Sequence, residues 1–249
     1  MLKTRVIPCL TVKDQRLVKS IKFQDYRNIG NYIAAVRVFN ARDVDELIFL
    51  DLDAREHGIE GRLVAEVTKE CFMPVTLGGG VKTIADVQRL LSLGADKVAI
   101  NSAALEEPGL IDAAAKRYGS QCMVVSIDVR KIDARYHIFS EGGRKETGKE
   151  VREWAQEAEK RGAGEILLNA IDRDGMMEGY DTELITYVTR AVRIPVVALG
   201  GAGTPDDCVR AVQAGASAVS AASIFQYTQI TPQIIKKALS DAGIPARIG

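Results

Sequence analysis

One carboxylate near the middle of the chain is suited to act as an acid or a base. Asp128 lies in "VVSIDVRKID" (124–133), after apolar residues that favour a buried strand. A carboxylate at the end of a strand can transfer protons to and from a bound molecule, although it can also cap the following loop. The similar stretch "VIPCLTVKD" (6–14) has Thr11 at the matching position. Further polar candidates for the same site are Lys19, Asp51 and Asp174.

Two pairs of loop segments are candidates for binding phosphate groups. The first pair is "LGGG" (77–80) with "INSA" (100–103), and the second is "GGAG" (200–203) with "AAS" (221–223). Glycines let backbone N–H groups approach an anion closely, whereas a tight strand-to-helix turn needs glycine for steric reasons alone. Because each Gly-rich segment is paired with a Ser-containing one, we predict two phosphate sites and an elongated ligand with a phosphate at each end.

Short apolar runs alternate with amphipathic segments along the whole chain, which is typical of βα units and a parallel sheet. We predict a helix cap at Thr204, before Pro205, and a capping box over Thr147–Glu150. Eight βα units predict a single domain, residues 1–249, with the (β/α)8 TIM-barrel fold. The predicted strands are 5–10, 46–52, 75–77, 97–100, 122–128, 165–171, 196–199 and 218–221.

The two halves of the chain resemble each other. "PVTLGGG" from Pro74 matches "PVVALGGAG" from Pro195, a displacement of 121 residues. "GADKVAINSA" matches "GASAVSAASI" at the same displacement. These matches predict a barrel built from two similar half-barrels.

The composition argues against several classes of function. The chain has 33 Lys and Arg against 33 Asp and Glu and is 6% aromatic, which gives no sign of a nucleic-acid surface. The start "MLKTRVIPCL" lacks the features of a signal peptide and the apolar runs are of strand length, so we expect no membrane segment and a cytoplasmic location. The 4 cysteines are scattered without a CxxC pair, which suggests neither a disulfide framework nor a structural zinc site. We also expect no metal and no cofactor.

The connection over residues 13–31 is long for a barrel. Its basic residues are Lys13, Arg16, Lys19 and Lys22. Long loops often act as lids, and a basic lid suits an anionic ligand. A solvated basic loop is the alternative.

Charged residues stand at the starts of four predicted strands. Strand starts meet at the bottom of a barrel, where charges usually face water. If these four side chains converge instead, they form a gate at the bottom of the barrel. The residues are Arg5, Glu46, Lys97 and Glu165.

Over essentially its whole length, the chain resembles the cyclase subunit of imidazole glycerol phosphate synthase, of histidine biosynthesis. The similar segments are "KDQRLVK", "DELIFLDLDA", "LGGGVKT", "GADKVAINSAA", "YGSQ", "EKRGAGEILLNAIDRDGMMEGYD" and "GGAG". The resemblance implies one phosphate site at Gly80, Asn101 and Ser102. It implies a second at Asp174, Gly175, Gly201, Ala222 and Ser223. It also implies that the four strand-start charges are a gate for ammonia, which a glutaminase subunit on the bottom face releases.

The sequence departs from this family at three positions. Cyclases of the family use two aspartates, of which the second matches Asp128 and the first is replaced by Thr11. Loss of one member of an acid–base pair commonly lowers a rate by about 10²- to 10⁴-fold. In addition, Leu199 stands where Ser is usual and Asn169 where Thr is usual.

Four hypotheses follow. "RVIPCL" and "ECFMPVTLGGG" resemble a branch from surface-polysaccharide gene clusters, in which a cyclase-like barrel and a glutaminase serve a sugar amidotransferase. The first hypothesis is therefore a barrel that receives ammonia for amidation of a nucleotide-linked sugar in lipopolysaccharide biosynthesis. The second is a genuine cyclase (lyase) of histidine biosynthesis, with Asp128 acting alone or with Asp14 or a water. A non-catalytic docking scaffold and the sister isomerase of the histidine pathway are the others.

Overall fold

A computed structural model describes residues 3 to 248 of the chain. The strands are β1 (Arg5–Lys13), β2 (Arg16–Ile21), β3 (Gln24–Gly30), β4 (Leu47–Asp51), β5 (Val75–Gly78), β6 (Lys97–Ile100), β7 (Met123–Ile132), β8 (Arg135–Ser140), β9 (Lys145–Glu146), β10 (Glu165–Ala170), β11 (Val196–Leu199) and β12 (Ala218–Ala221). The helices are α1 (Tyr32–Ala41), α2 (Ala54–His57), α3 (Gly61–Glu70), α4 (Ile84–Ser92), α5 (Ser102–Glu106), α6 (Gly109–Tyr118), α7 (Val151–Lys160), α8 (Thr182–Thr189), α9 (Pro205–Gln213), α10 (Ser223–Tyr227) and α11 (Pro232–Asp241).

Eight parallel strands close into a barrel in the order β1, β4, β5, β6, β7, β10, β11 and β12. The ring closes because β12 pairs with β1 and β10 pairs with both β7 and β11. Helices lie between successive barrel strands, so the predicted (β/α)8 TIM barrel is confirmed. Among residues 3 to 248, no helix has the length and apolar character needed to cross a membrane.

The buried residues of the barrel strands form two sets, because successive side chains of a strand point to opposite faces of the sheet. Every second residue points outward and packs against the helices. The others line the lumen of the barrel, mostly with small and branched apolar side chains. The lumen set is Ile7, Cys9, Ile48, Ala99, Val124, Leu167, Val197, Leu199 and Ala218.

The prediction that residues 13–31 form a loop was wrong. β1 continues to Lys13 and pairs with β2, and β2 pairs with β3, so an antiparallel ribbon stands at the end of the barrel where the strands finish. A second ribbon, β8 and β9, continues from β7 in the same way. The first ribbon turns at Asp14 and Gln15, both with positive φ, as a two-residue hairpin turn requires.

The matching halves carry matching helix caps. Thr83 and Thr204 each form a capping box with the aspartate three residues later, at the starts of α4 and α9. The predicted capping box at Thr147 was wrong. Glu150 caps α7 by accepting a hydrogen bond from the Glu153 N–H, and the Thr147 hydroxyl donates to the carbonyl oxygen of Ile138 instead.

Candidate active site

The four strand-start charges form a closed ring at the bottom of the lumen. Nη1 of Arg5 lies 2.7 Å from Oε2 of Glu46, and Nη2 of Arg5 contacts Oε1 of Glu165. Nζ of Lys97 lies 2.9 Å from Oε2 of Glu46 and 2.9 Å from Oε2 of Glu165. Each cation therefore contacts both carboxylates, and we call these four residues the charged ring. The structure thus brings together the four residues that the sequence analysis proposed as a gate.

The charged ring keeps Glu46 ionised in spite of its burial. Burial acts to raise the pKa of Glu46, but the charges of Lys97 and Arg5 and the hydrogen bonds from Lys97 and Thr76 outweigh it, so the pKa is lowered. Burial likewise acts to lower the pKa of Arg5, and its contacts with Glu165 and Glu46 outweigh that effect and raise it. Glu46 and Arg5 are therefore charged at neutral pH.

Asp128 lies at the opposite end of the lumen. It pairs with Asn169 in the register of β7 and β10, four residues beyond the pair of Val124 and Glu165, which is about 13 Å along the strands. Its carboxylate accepts hydrogen bonds from Nδ2 of Asn101 at 3.2 Å and from the hydroxyl of Ser126 at 3.3 Å. The side chain is therefore held by neutral donors at the mouth of the barrel.

The surroundings of Asp128 favour its protonated form. Asp128 is only 8% exposed, and burial raises its pKa to about 7. The charge of Asp174 adds to the rise, and hydrogen bonds from Ser126 and Asn169 oppose it. A carboxyl group with a pKa near neutrality can both accept and donate a proton at the pH of a cell.

Thr11 lies on the same lumen-facing register of β1 as Ile7 and Cys9, but its hydroxyl is turned toward the first ribbon. It donates a hydrogen bond to the carbonyl oxygen of Val18 at 2.7 Å. In the cyclases that the sequence resembles, this position carries the first aspartate. Here it carries a threonine, whose hydroxyl stabilises the pairing of β1 with β2.

Lys19 and Asp174, both predicted near the site, form a buried ion pair. Nζ of Lys19 lies 2.6 Å from Oδ1 of Asp174, and the hydroxyl of Ser20 donates to Oδ2 of Asp174 at 2.7 Å. The N–H of Lys22 donates to the carbonyl oxygen of Asp174. These contacts fix the first ribbon to the segment that follows β10. Lys19, which was expected on a lid, is instead part of a buried ion pair.

The first predicted phosphate site brings together Gly80, Asn101 and Ser102 at the ends of β5 and β6. A Cβ on Gly80 would lie 2.2 Å from the carbonyl oxygen of Ala54, and its φ is +66°, so packing alone requires glycine there. Asn101 contacts Asp128, and the Ser102 hydroxyl accepts a hydrogen bond from the N–H of Glu141 at 2.9 Å. This site therefore adjoins the carboxyl group of Asp128.

The second predicted phosphate site is built in the same way. A Cβ on Gly201 would lie 2.3 Å from the carbonyl oxygen of Gly179, and one on Gly175 would lie 2.3 Å from that of Ser20. Ala222 precedes α10, whose first residue is Ser223. Within residues 3 to 248, Oγ of Ser223 and Oδ1 of Asn169 are buried without a hydrogen-bond partner. Leu199, where the resembling family has Ser, is buried in the lumen.

Asp51 serves mainly as a local cap. Its Oδ1 accepts hydrogen bonds from the N–H groups of Asp53 at 3.0 Å and Ala54 at 3.3 Å. Burial raises the pKa of Asp51. The carboxylate lines an acidic hollow with Asp14, Asp53, His57 and Glu60, beside the first ribbon.

Sequence reasoning missed two charged residues beside the first predicted phosphate site, Arg55 and Glu141. They form an ion pair with 2.7 Å between Nη2 and Oε2. Only the second ribbon places Glu141 near Arg55, and no local pattern signals that contact. Within the described part of the chain, no group of three or more His, Cys, Asp or Glu side chains is arranged to hold a metal.

Comparison with known proteins gives a consistent result. Residues 5–231 match the family described as histidine biosynthesis protein. The chain is 50% identical to the imidazole glycerol phosphate synthase subunit HisF of Hyphomonas neptunium, over 99% of each chain. It is 47% identical to the subunit of the same name from Caulobacter vibrioides, over 100% of this chain and 97% of the relative. It is 45% identical, over 100% of both chains, to a Campylobacter jejuni protein named "Putative imidazole glycerol phosphate synthase subunit hisF2".

Proposed function

Because the chain belongs to the histidine biosynthesis protein family, we propose that it is the cyclase subunit of an imidazole glycerol phosphate synthase, with Asp128 as its acid–base group. The names of the relatives support this reading, which the sequence offered as its second hypothesis, better than sugar amidation. The observation that carries the proposal is the position of Asp128, with a pKa of about 7, at the mouth of a lumen that begins at the charged ring.

In this proposal, a glutaminase partner docks on the bottom face and releases ammonia at the charged ring. The ring must open for ammonia to enter, since each of its cations contacts both carboxylates. The lumen beyond it is lined mainly by apolar residues, which favour neutral ammonia over the charged ammonium ion. In such a complex of two subunits in the cytoplasm, ammonia passes from the glutaminase into the barrel without entering bulk water, where it would be protonated.

At the mouth of the barrel, the two Gly-rich loop pairs bind the phosphates of an elongated substrate. Asp128 lies between them in the barrel order, since β7 separates β5 and β6 from β11 and β12. Its single carboxyl group takes the proton lost when ammonia attacks the substrate and returns a proton to the group that leaves. Asp174, by contrast, forms a buried ion pair with Lys19, so we assign the proton transfer to Asp128, whose pKa is about 7.

The proposal can be tested by growth of a histidine-requiring strain that lacks its own cyclase. We expect the gene for this chain to restore growth when expressed with a matching glutaminase. The Asp128→Asn variant is the matched control, because it keeps the size of the side chain and removes its proton transfer. Failure of the native chain to restore growth, with both proteins present at normal levels, would overturn the proposal.

One observation favours sugar amidation as a second candidate. Position 11 is a threonine, whose hydroxyl donates a hydrogen bond to the carbonyl oxygen of Val18. The site therefore has no carboxylate at the position where cyclases of the family have their first aspartate. In that case the barrel passes ammonia to a separate sugar amidotransferase. We would then expect the barrel to stimulate glutamine hydrolysis by its partner without converting the bisphosphate substrate, whereas absence of any stimulation would count against this candidate.

A further inference from the structure

Arg55 and Ser102 are joined through a residue of the second ribbon. Nη2 of Arg55 lies 2.7 Å from Oε2 of Glu141, and the N–H of Glu141 donates to the hydroxyl of Ser102 at 2.9 Å. Arg55 follows β4 and Ser102 follows β6, so Glu141 bridges two loops at the mouth of the barrel. The hydrogen bond from Arg55 is the main reason that the pKa of Glu141 lies below its ordinary value.

Only one side of the Arg55 guanidinium is used in this contact. Nη1 of Arg55 is buried and has no hydrogen-bond partner among residues 3 to 248. Leaving a buried donor of a charged group unpaired is unfavourable, and such donors in folded proteins call for an explanation. A guanidinium with a free donor matches the oxygens of a phosphate group, which it can bind through two parallel hydrogen bonds.

The surroundings of Arg55 add positive charge. Nζ of Lys82 donates a hydrogen bond to the carbonyl oxygen of Arg55 at 3.1 Å, and Nζ of Lys145 lies 3.9 Å from Oε1 of Glu141. The backbone of Gly80 packs directly on Ala54, the residue before Arg55. Arg55 is thus beside the loop that was predicted from the sequence to hold a phosphate, and Glu141 is the carboxylate that faces it.

We propose that Arg55 binds a phosphate group of the ligand at the Gly80 and Ser102 loops, and that Glu141 competes with this phosphate for the guanidinium. The inference rests on the proposed function for the identity of the ligand, an elongated phosphate ester, and adds the residue that binds one of its phosphates. Before phosphate binds, Glu141 neutralises Arg55. When phosphate binds, Nη1 donates to a phosphate oxygen and the two negative groups repel, so the carboxylate moves away.

The test is calorimetric titration of the full chain with inorganic phosphate. We expect Arg55→Gln to weaken phosphate binding by about tenfold or more, the loss expected for one charge-assisted hydrogen bond. We expect Glu141→Gln to strengthen binding by about threefold or more, since it removes the competing charge. Opposite changes in phosphate affinity in the two variants would indicate a binding role, because general damage to the fold would weaken binding in both.

Arg37 and Glu70 provide matched controls. They form the same type of ion pair, with 2.8 Å between Nη2 and Oε1, but on α1 and α3, outside the barrel mouth. Arg37→Gln and Glu70→Gln change the net charge identically and should leave phosphate binding within about twofold of the native chain. Circular dichroism of all four variants verifies that each is folded.

Three results would overturn the inference: no binding of phosphate by the native chain, an unchanged affinity in Arg55→Gln, or a weakened affinity in Glu141→Gln. The measurement does not depend on turnover, so it separates this inference from the proposed function. A chain that binds phosphate with the expected signs but does not restore histidine-independent growth would contradict the proposed function alone. Restored growth with an unchanged Arg55→Gln affinity would contradict only the role of Arg55.

Discussion

The hydroxyl of Thr11 donates a hydrogen bond to the carbonyl oxygen of Val18 at 2.7 Å, across the pair of β1 and β2. This contact fixes the side chain of Thr11 in a structural role. In the proposed function, proton transfer at the barrel mouth therefore depends on Asp128, whose pKa burial raises to about 7.

Replacing Thr11 by Val should reduce stability but leave catalysis nearly unchanged. Val has almost the same shape and lacks the hydroxyl, so the variant loses the hydrogen bond to the carbonyl oxygen of Val18. We expect the free energy of unfolding to fall by about 1 kcal/mol, as measured by urea denaturation. Thr11→Ser keeps a hydroxyl and is the control. A loss of turnover in Thr11→Val comparable with that of Asp128→Asn would contradict this assignment.

Asp128 should make the stability of the protein depend on pH. Its pKa is raised from 3.8 to about 7 by burial, so the folded chain binds this proton more tightly than the unfolded chain. The contribution is fully present below the unfolded value and is lost as pH rises toward 7. The native chain should therefore lose on the order of 2 kcal/mol relative to Asp128→Asn between pH 5 and pH 8. Parallel urea curves for both proteins at the two pH values measure it; an unchanged difference would refute the buried, raised pKa.

Removing Lys97 should destabilise the charged ring. Lys97→Met leaves Glu46 and Glu165, both buried, with only Arg5 as a counter-ion. Breaking a buried ion pair costs about 3 to 5 kcal/mol. Without Lys97 the pKa of Glu46 should rise, so the variant should recover stability relative to the native chain as pH falls. Urea denaturation at pH 5 and pH 8 provides the measurement, and the exposed Lys69→Met is the control. A variant as stable as native at pH 8 would show that Lys97 does not compensate the two carboxylates.

Adjacent lysines of α11 should differ greatly in their contribution to stability. Lys236 is fully buried, and its Nζ donates to Oδ1 of Asp45 at 2.8 Å and to the carbonyl oxygen of Asp43 at 2.9 Å. Lys237 pairs with Asp241 in solvent. We expect Lys236→Met to lower the free energy of unfolding by about 3 to 5 kcal/mol. Lys237→Met should cost about 0.5 kcal/mol or less. Equal effects in chemical denaturation would contradict the buried pair.

The barrel strands could be predicted because each is an apolar run followed by a helix. β6, β11 and β12 have the predicted bounds. The charged ring could also be predicted, because its members stand at, or directly before, the starts of barrel strands.

The two ribbons could not be predicted from local patterns. β3 is almost wholly exposed and so has no apolar periodicity. The turns at Asp14–Gln15 and Lys22–Phe23 have positive φ without glycine, so the usual Asn-Gly or Asp-Gly hairpin signal is missing. The ion pair of Arg55 with Glu141 was missed for the same reason, because it exists only once the second ribbon folds over the barrel mouth.

The central claim is tested most directly by measuring turnover of the aminoimidazole bisphosphate substrate of the synthase. Excess ammonium salt takes the place of a glutaminase in this assay. The claim is that a barrel with Asp128 as its acid–base group and Thr11 in a structural role catalyses the cyclase reaction. The native chain should turn over, and Asp128→Asn should lose about 10²-fold or more. A native chain without turnover, together with activity gained in Thr11→Asp, would contradict the claim.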